Sequence, residues 1–236
     1  MSDFEKPILV TVATGYIGRR LIPQLLDQRF RVGAAGKSME KLRCRLWAKN
    51  HQVEVVEVDV LQPESIEKAA RDCRSAFYLV HSMLPGQKNF EEADRVAALN
   101  MKNAAEKANL EKIIYLSVLG DKKTTLSKHL ASRKEVGTLL RSGKVPVTIL
   151  RAAMIIGSGS ASFEILRYLV DRLPIMITPR WLETPNQPIA VRNVIEYLSV
   201  CLESDVTTGK TFDIGGPDIL TYRELMKIFA EEAGLR

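Results

Sequence analysis

The sequence predicts an α/β fold built on a doubly wound parallel sheet. Three observations point there. Apolar runs of strand length alternate with helical patterns from residue 7 onward. Those runs are apolar nearly throughout, as strands covered by helices on both faces must be. A turn carrying two glycines separates the first run from the first helical pattern, with more strand–helix units behind it. Right-handed crossovers between such units give the doubly wound arrangement.

The run "PILVTVA" is the first strand, and "GYIGRRLIPQLLDQ" follows with Ile17, Leu21, Leu25 and Leu26 on one helical face. "FRVGAA" is the second strand, "SMEKLRCRLWAKN" a helix, and "QVEVVEVDV" the third strand. "PESIEKAARDC" opens with proline at a first helical position, where its missing N–H costs nothing. "SAFYLVHS" is extended again. "NFEEADRVAALNMKNAAEKANL" is the clearest helix, with Phe90, Ala93, Ala97, Met101, Ala104 and Ala108 as its buried stripe. "EKIIYLSVLG" and "VPVTILRAAMIIG" are strands on either side of the helix "SKHLASRKEVGTLLRSG".

After about Leu150 the pattern changes to short, proline-punctuated pieces, with helices in "ASFEILRYLVDRLP", "VRNVIEYLSVCLES" and "LTYRELMKIFAEEAG". The expected division is a core over 1–150 and a small lobe over 151–236 packed on the carboxyl edge of its sheet, within a chain that could continue beyond its last amphipathic helix.

Composition excludes several classes. Hydrophobic residues make up 46% and charged residues 26%, ordinary values for a globular domain. Cys44, Cys73 and Cys201 form no CxxC pair and have no histidine cluster, so neither a disulfide framework nor a metal site is expected. The opening residues lack the basic-then-apolar pattern of a secretory leader, and no apolar run approaches the roughly 18 residues of a membrane span. A cytoplasmic location is the expectation. The net charge of +6 is dispersed among acids and offers no basic cluster or aromatic platform for nucleic acid.

Gly15 and Gly18 in "TVATGYIG" lie where a dinucleotide fold brings backbone N–H groups to a pyrophosphate. Val12 stands where such a loop usually has its first glycine. A β-branched residue resists positive φ, so an extended φ at Val12, a loop of usual shape and a weakened cofactor affinity are expected. At the end of the second strand "GKS" supplies Lys37 and Ser38, with no acid before Glu40. A cation there suits a 2′-phosphate, which favours NADP over NAD. Asp59, ending the third strand, either accepts from the adenine amino group or caps the next segment.

The motifs "TVATGYIG", "VDVLQPESI", "YLVHS", "IIYLSVLG", "LRAAMIIGSGSASFEILRYL", "QPIAVRNVIEYL" and "FDIGGPDILTYREL" run in one order along essentially the whole chain. This order resembles the short-chain dehydrogenase/reductase superfamily in its extended and atypical branch. The likeness is to bacterial NmrA-like and sugar-nucleotide-epimerase-like proteins, with a related branch holding the nucleotide-binding accessory subunit of respiratory complex I. The resemblance implies an NAD(P)-binding Rossmann core. It implies cofactor contacts from Thr11, Ala13, Thr14, Gly15, Tyr16, Ile17 and Gly18, from Lys37, Ser38, Asp59 and Val60, and from Val80, His81 and Ser82.

Reductases of that superfamily use a serine, a tyrosine, and a lysine four residues after the tyrosine. Ser117 matches the serine, but His129 stands at the tyrosine position and Arg133 at the lysine position. None of Tyr16, Tyr78, Tyr115, Tyr168, Tyr197 and Tyr222 has lysine four residues on. His129 and Arg133 share a helical face, so a repurposed site could use histidine as acid or base. Otherwise Arg133 contacts ribose or phosphate without turnover. In the lobe, Ser160 or Ser162 is a candidate helix cap, and Arg180 and Trp181 could engage an anionic or flat ligand.

Two functions follow from the resemblance. One is an oxidoreductase or epimerase/dehydratase-like activity on a small carbonyl or hydroxyl compound. The other is a regulator or assembly subunit that binds NADP(H) without turnover and is read by a protein partner. A homodimer is a candidate assembly for either.

Overall fold

The apolar run near the amino end becomes strand β1 (Ile8–Val10), with all three side chains fully buried. The computed structural model describes residues 6–81, 89–119, 128–172 and 180–234, the last without the side chains of Arg180 and Trp181. After β1 come α1 (Gly18–Asp27), β2 (Val32–Gly36), α2 (Met39–Arg43), β3 (Val53–Glu57), α3 (Pro63–Ala70) and β4 (Ser75–Tyr78). They are followed by α4 (Phe90–Lys107), β5 (Ile113–Val118), α5 (Lys128–Arg141) and β6 (Val147–Ala152). The later elements are β7 (Ile155–Ile156), α6 (Ala161–Arg172), β8 (Pro185–Asn186), β9 (Ile189–Ala190), α7 (Val191–Glu203), β10 (Thr211–Ile214), β11 (Leu220–Thr221) and α8 (Tyr222–Glu232).

Among the described residues, seven strands form one sheet in the order β10-β6-β5-β4-β1-β2-β3. Strand β1 pairs parallel with both β2 and β4, Ile8 lying opposite Val32 and Ser75. Pairs β2–β3 and β4–β5 are parallel as well. The chain builds outward from β1 to β3 and then returns to β4 on the other side. That reversal lies at β1 and β4, and it is in the crevice beyond the carboxyl ends of such strands that doubly wound sheets take ligands.

The core explains which strands read as uniformly apolar. Residues of β1, β2 and β4 are all buried, whereas β3 at the sheet edge exposes Glu54 and Glu57. Helices α4 and α5 cover β4 and β5 through Ala97, Ala98, Met101, Val136 and Leu140. Gly137 lets α5 approach closely: a Cβ there would lie 3.1 Å from Ile149 and 3.7 Å from Tyr115. The stretch expected as one helix over 38–50 divides into α2 and a 3-10 turn at Leu46–Lys49 that buries Trp47. The stretch "VPVTILRAAMIIG" likewise divides into β6 and β7.

The chain forms two compact units: Met1–Arg151 with Ile195–Phe212, and Ala152–Val194 with Asp213–Arg236. A single boundary near residue 150 is therefore too simple. Residues 195–212 return to the first unit because its sheet edge bonds them. Ile149 N–H donates to the Lys210 carbonyl at 2.9 Å, and the Thr148 hydroxyl donates to the Thr207 carbonyl at 2.8 Å. The second unit has its own core of Met154, Leu166, Leu182, Leu225 and Met226. Phe163 and Phe229 meet edge to face with centroids 5.6 Å apart.

Candidate functional site

The turn after β1 keeps a tight shape by a route the sequence did not suggest. Val12 has φ +52°, in the left-handed region that favours glycine. Its carbonyl accepts from Gly15 N–H at 2.9 Å, which closes the turn. The expectation of an extended φ fails because this bond and the Ala13 N–H to Ala35 carbonyl bond (2.8 Å) fix the peptide after Val12, while the Thr11 N–H to Phe77 carbonyl bond (3.1 Å) holds the strand before it. Gly15 and Gly18 are then obligatory. A Cβ on Gly15 would lie 2.9 Å from Val12 Cγ1, and one on Gly18 would lie 2.5 Å from the Val12 carbonyl oxygen.

Beyond the turn, α1 opens at Ile17 with no capping side chain and no acid in its first turn. Its positive end is therefore left to an anion. This cradle, closed to any Cβ, fits a dinucleotide pyrophosphate. Tyr16 is held by Arg20, whose guanidinium lies 4.1 Å over the ring and donates to the Tyr16 carbonyl at 3.0 Å. Thr11 has a different use: its hydroxyl donates to the Phe77 carbonyl at 3.0 Å and accepts from Leu79 N–H at 2.8 Å. It ties the ends of β1 and β4 together. Ala13 is buried, while Thr14 and Ile17 are half-buried.

At the ends of β2 and β3 the structure joins two residues that the sequence treated separately. Lys37 Nζ lies 3.3 Å from Asp59 Oδ2, with the lysine side chain 78% exposed. Asp59 Oδ1 accepts from Leu61 N–H at 3.1 Å, so this carboxylate also shapes the turn into α3. Ser38 caps α2, accepting from Lys41 N–H at 3.3 Å. The Val60 carbonyl accepts from Asn100 Nδ2 at 3.0 Å.

On the other side of the crevice, α5 carries Arg133 into the interior, 4% exposed. Its Nη1 donates to the Val80 carbonyl at 2.7 Å, just past β4. Its Nη2 lies 3.9 Å from Oδ2 of Asp94, a fully internal carboxylate on α4, and makes no hydrogen bond among the described residues. Ser132 Oγ donates to the same Asp94 oxygen at 3.0 Å. The Tyr115 hydroxyl donates to the Arg133 carbonyl at 3.3 Å, and the Tyr78 ring lies 5.7 Å from that of Tyr115. Burial brings the Arg133 guanidinium down to about 10 and pushes the Tyr78 phenol well above its ordinary value. A phenol so raised is unsuited to proton transfer near neutral pH.

Ser117 is buried near the end of β5, and His129 is half-buried in the first turn of α5. His81 is exposed, and Ser82 lies outside the described residues. In the second unit Ser160 caps α6, accepting from Phe163 N–H at 3.2 Å. Sequence reasoning missed Asp94, Asn100 and Ser132. The signal for Asp94 was present: it lies four residues after Phe90 and three before Ala97, a charge on the buried stripe of α4.

A family profile described as NAD(P)H-binding matches residues 13–167. The chain belongs to that family. A curated relative from Arabidopsis thaliana, "NADH dehydrogenase [ubiquinone] 1 alpha subcomplex subunit 9, mitochondrial", is 25% identical over 94% of this chain and 57% of its own length. "Photosystem II assembly factor Ycf39" of Synechocystis is 21% identical over 96% of this chain and 68% of its own. The chain thus spans little more than half the length of the first of these. Among solved structures, a nucleoside-diphosphate-sugar epimerase from Staphylococcus aureus superposes with TM-score 0.79 at 18% identity, covering 97% of this chain and 77% of that one. The Bordetella bronchiseptica enzyme WbmG, in complex with NAD and UDP, gives TM-score 0.79 at 16% identity, covering 98% of this chain and 79% of its own. The fold shared with these structures is the Rossmann-like α/β arrangement of a parallel sheet between helices. No described helix is long and apolar enough to cross a membrane, and no metal-ligating cluster occurs among the described residues.

Proposed function

We propose that this chain is an NADP(H)-binding protein whose cofactor serves a structural or signalling role read by a protein partner, without turnover. The observation that supports this best is the state of Arg133. The cation at the lysine position is buried between Asp94 and the Val80 carbonyl, and a phenol adjusted for proton exchange does not accompany it. Nη2 of Arg133, which makes no hydrogen bond among the described residues, is a donor suited to a ribose hydroxyl. The names of two relatives, a complex subunit and an assembly factor, support the same reading.

The preference for NADP rests on Lys37. Its pairing with Asp59 is a surface ion pair, worth at most ~1 kcal/mol, so a 2′-phosphate can draw the lysine away. A second reading, oxidoreductase or epimerase/dehydratase-like turnover of a small carbonyl or hydroxyl compound, draws on Ser117 at the end of β5 and half-buried His129. In it a bound nicotinamide would supply the hydride chemistry.

Calorimetric titration with NADPH and NADH tests the binding claim. NADPH is expected to bind more tightly, and Lys37→Ala is expected to erase the difference. Equal affinities in the unsubstituted chain refute the 2′-phosphate preference. NADPH consumption across aldehydes, ketones and quinones separates the readings: turnover that disappears in His129→Ala overturns the non-catalytic one.

A further inference from the structure

Asp94 is 2% exposed, and its Oδ2 faces both Ser132 Oγ at 3.0 Å and Arg133 Nη2 at 3.9 Å. The other arm of Arg133 reaches the Val80 carbonyl at 2.7 Å. A guanidinium therefore bridges a carboxylate on α4 and a backbone carbonyl at the strand end beside the ligand crevice. Burying such a pair is a poor route to stability, because apolar residues of similar volume usually serve as well. What the pair supplies is fixed geometry at one peptide group.

We propose that Asp94 is a positioning residue of the cofactor site: through Ser132 and Arg133 it holds the Val80 carbonyl, and the strand end after β4, in place for one half of the dinucleotide. That half is the one lying on the β4–β5 side of the switch point, and the proposal rests on the dinucleotide reading above. The adenosine half lies toward β2, where Lys37 and Ser38 are found. Asp94 meets Ser132 and Arg133 of α5, on the side of β4 and β5. Loss of its charge therefore weakens the whole dinucleotide and spares its adenosine fragment.

The test titrates the full chain with NADPH and, separately, with adenosine 2′,5′-bisphosphate. Asp94→Asn keeps the shape and removes the charge. It is expected to weaken NADPH about tenfold, the scale of a hydrogen-bonded charge, and to leave the fragment within about twofold. Ser132→Ala, which keeps the charge pair, is expected to weaken NADPH by a few-fold with the fragment again unchanged. A folded Asp94→Asn chain with unchanged NADPH affinity overturns the proposal, as does equal weakening of both ligands, the signature of a merely structural role. Where Asp94→Asn fails to fold, Ser132→Ala decides by the same criterion. An unsubstituted chain that binds neither ligand instead refutes the dinucleotide reading itself.

Discussion

Val12 offers a test in which the ordinary order of two substitutions should invert. At an unremarkable position glycine is less stable than alanine by about 0.5–1 kcal/mol, because the unfolded chain gains freedom. At φ +52° an L-residue carries roughly 1–2 kcal/mol of left-handed strain that glycine does not. Val12→Gly and Val12→Ala both delete the valine methyl groups, so the loss of their packing against the core largely cancels between them. The remainder leaves Val12→Gly more stable than Val12→Ala by ~1 kcal/mol. Denaturant unfolding followed by fluorescence of Trp47, which is buried in the first unit, resolves this difference in a Trp181→Phe background. NADPH affinity should be at least retained in Val12→Gly, since the turn keeps its shape. If Val12→Ala is the more stable of the two, the left-handed turn and the strain argument built on it are wrong.

Gly18→Ala gains about 1 kcal/mol of helix propensity, yet its Cβ would meet backbone atoms of Val12 and Ala13 at 2.5 and 2.9 Å. Overpacking of that kind costs about 1–3 kcal/mol, so a lower melting temperature and lost NADPH binding are expected, while Gly33→Ala, whose Cβ meets Leu9 at an ordinary 3.7 Å, should be neutral. Thiol labelling should show one rapid site, removed by Cys44→Ser, because Cys44 is exposed while burial pushes the Cys73 thiol up to about 12 and raises Cys201. At pH 8 Cys73 is then roughly one part in ten thousand thiolate, and a second rapid thiol would contradict the buried assignments. Thr221 N–H donates to Glu224 at 2.7 Å and holds that carboxyl below its ordinary value. A lowered carboxyl contributes stability above its unfolded pKa, about 4.3, and loses it as pH falls through the folded value. Glu224→Ala should therefore reduce amide-exchange protection of α8 at pH 7, with a gap that narrows in acid; an equal gap at both pH values counts against the capping box.

The fold was legible because its signals are local and repeated. The apolar run of β1, the two glycines after it and the stripe of α4 each state an element without reference to the rest of the chain. Local signals also gave the tight turn after β1, where Gly15 and Gly18 stand at positions at which a Cβ would meet Val12. Strand β3 departs from the uniformly apolar character expected of the strands, because whether a strand lies at an edge is a property of the sheet order.

What the tertiary structure alone decided were matters of partnership. Lys37 and Asp59 lie 22 residues apart in sequence and meet because β2 and β3 are neighbours. Arg133 and Asp94 belong to different helices, and only the packing of α4 on α5 turns a cation and an acid into one internal pair. The φ of Val12 followed from hydrogen bonds to its flanking residues, which outweighed the preference of its own side chain. Sequence thus determined that a tight glycine turn follows the first strand of a doubly wound sheet. Long-range packing decided which charges near it are occupied, because pairing energies depend on distances that sequence order does not set.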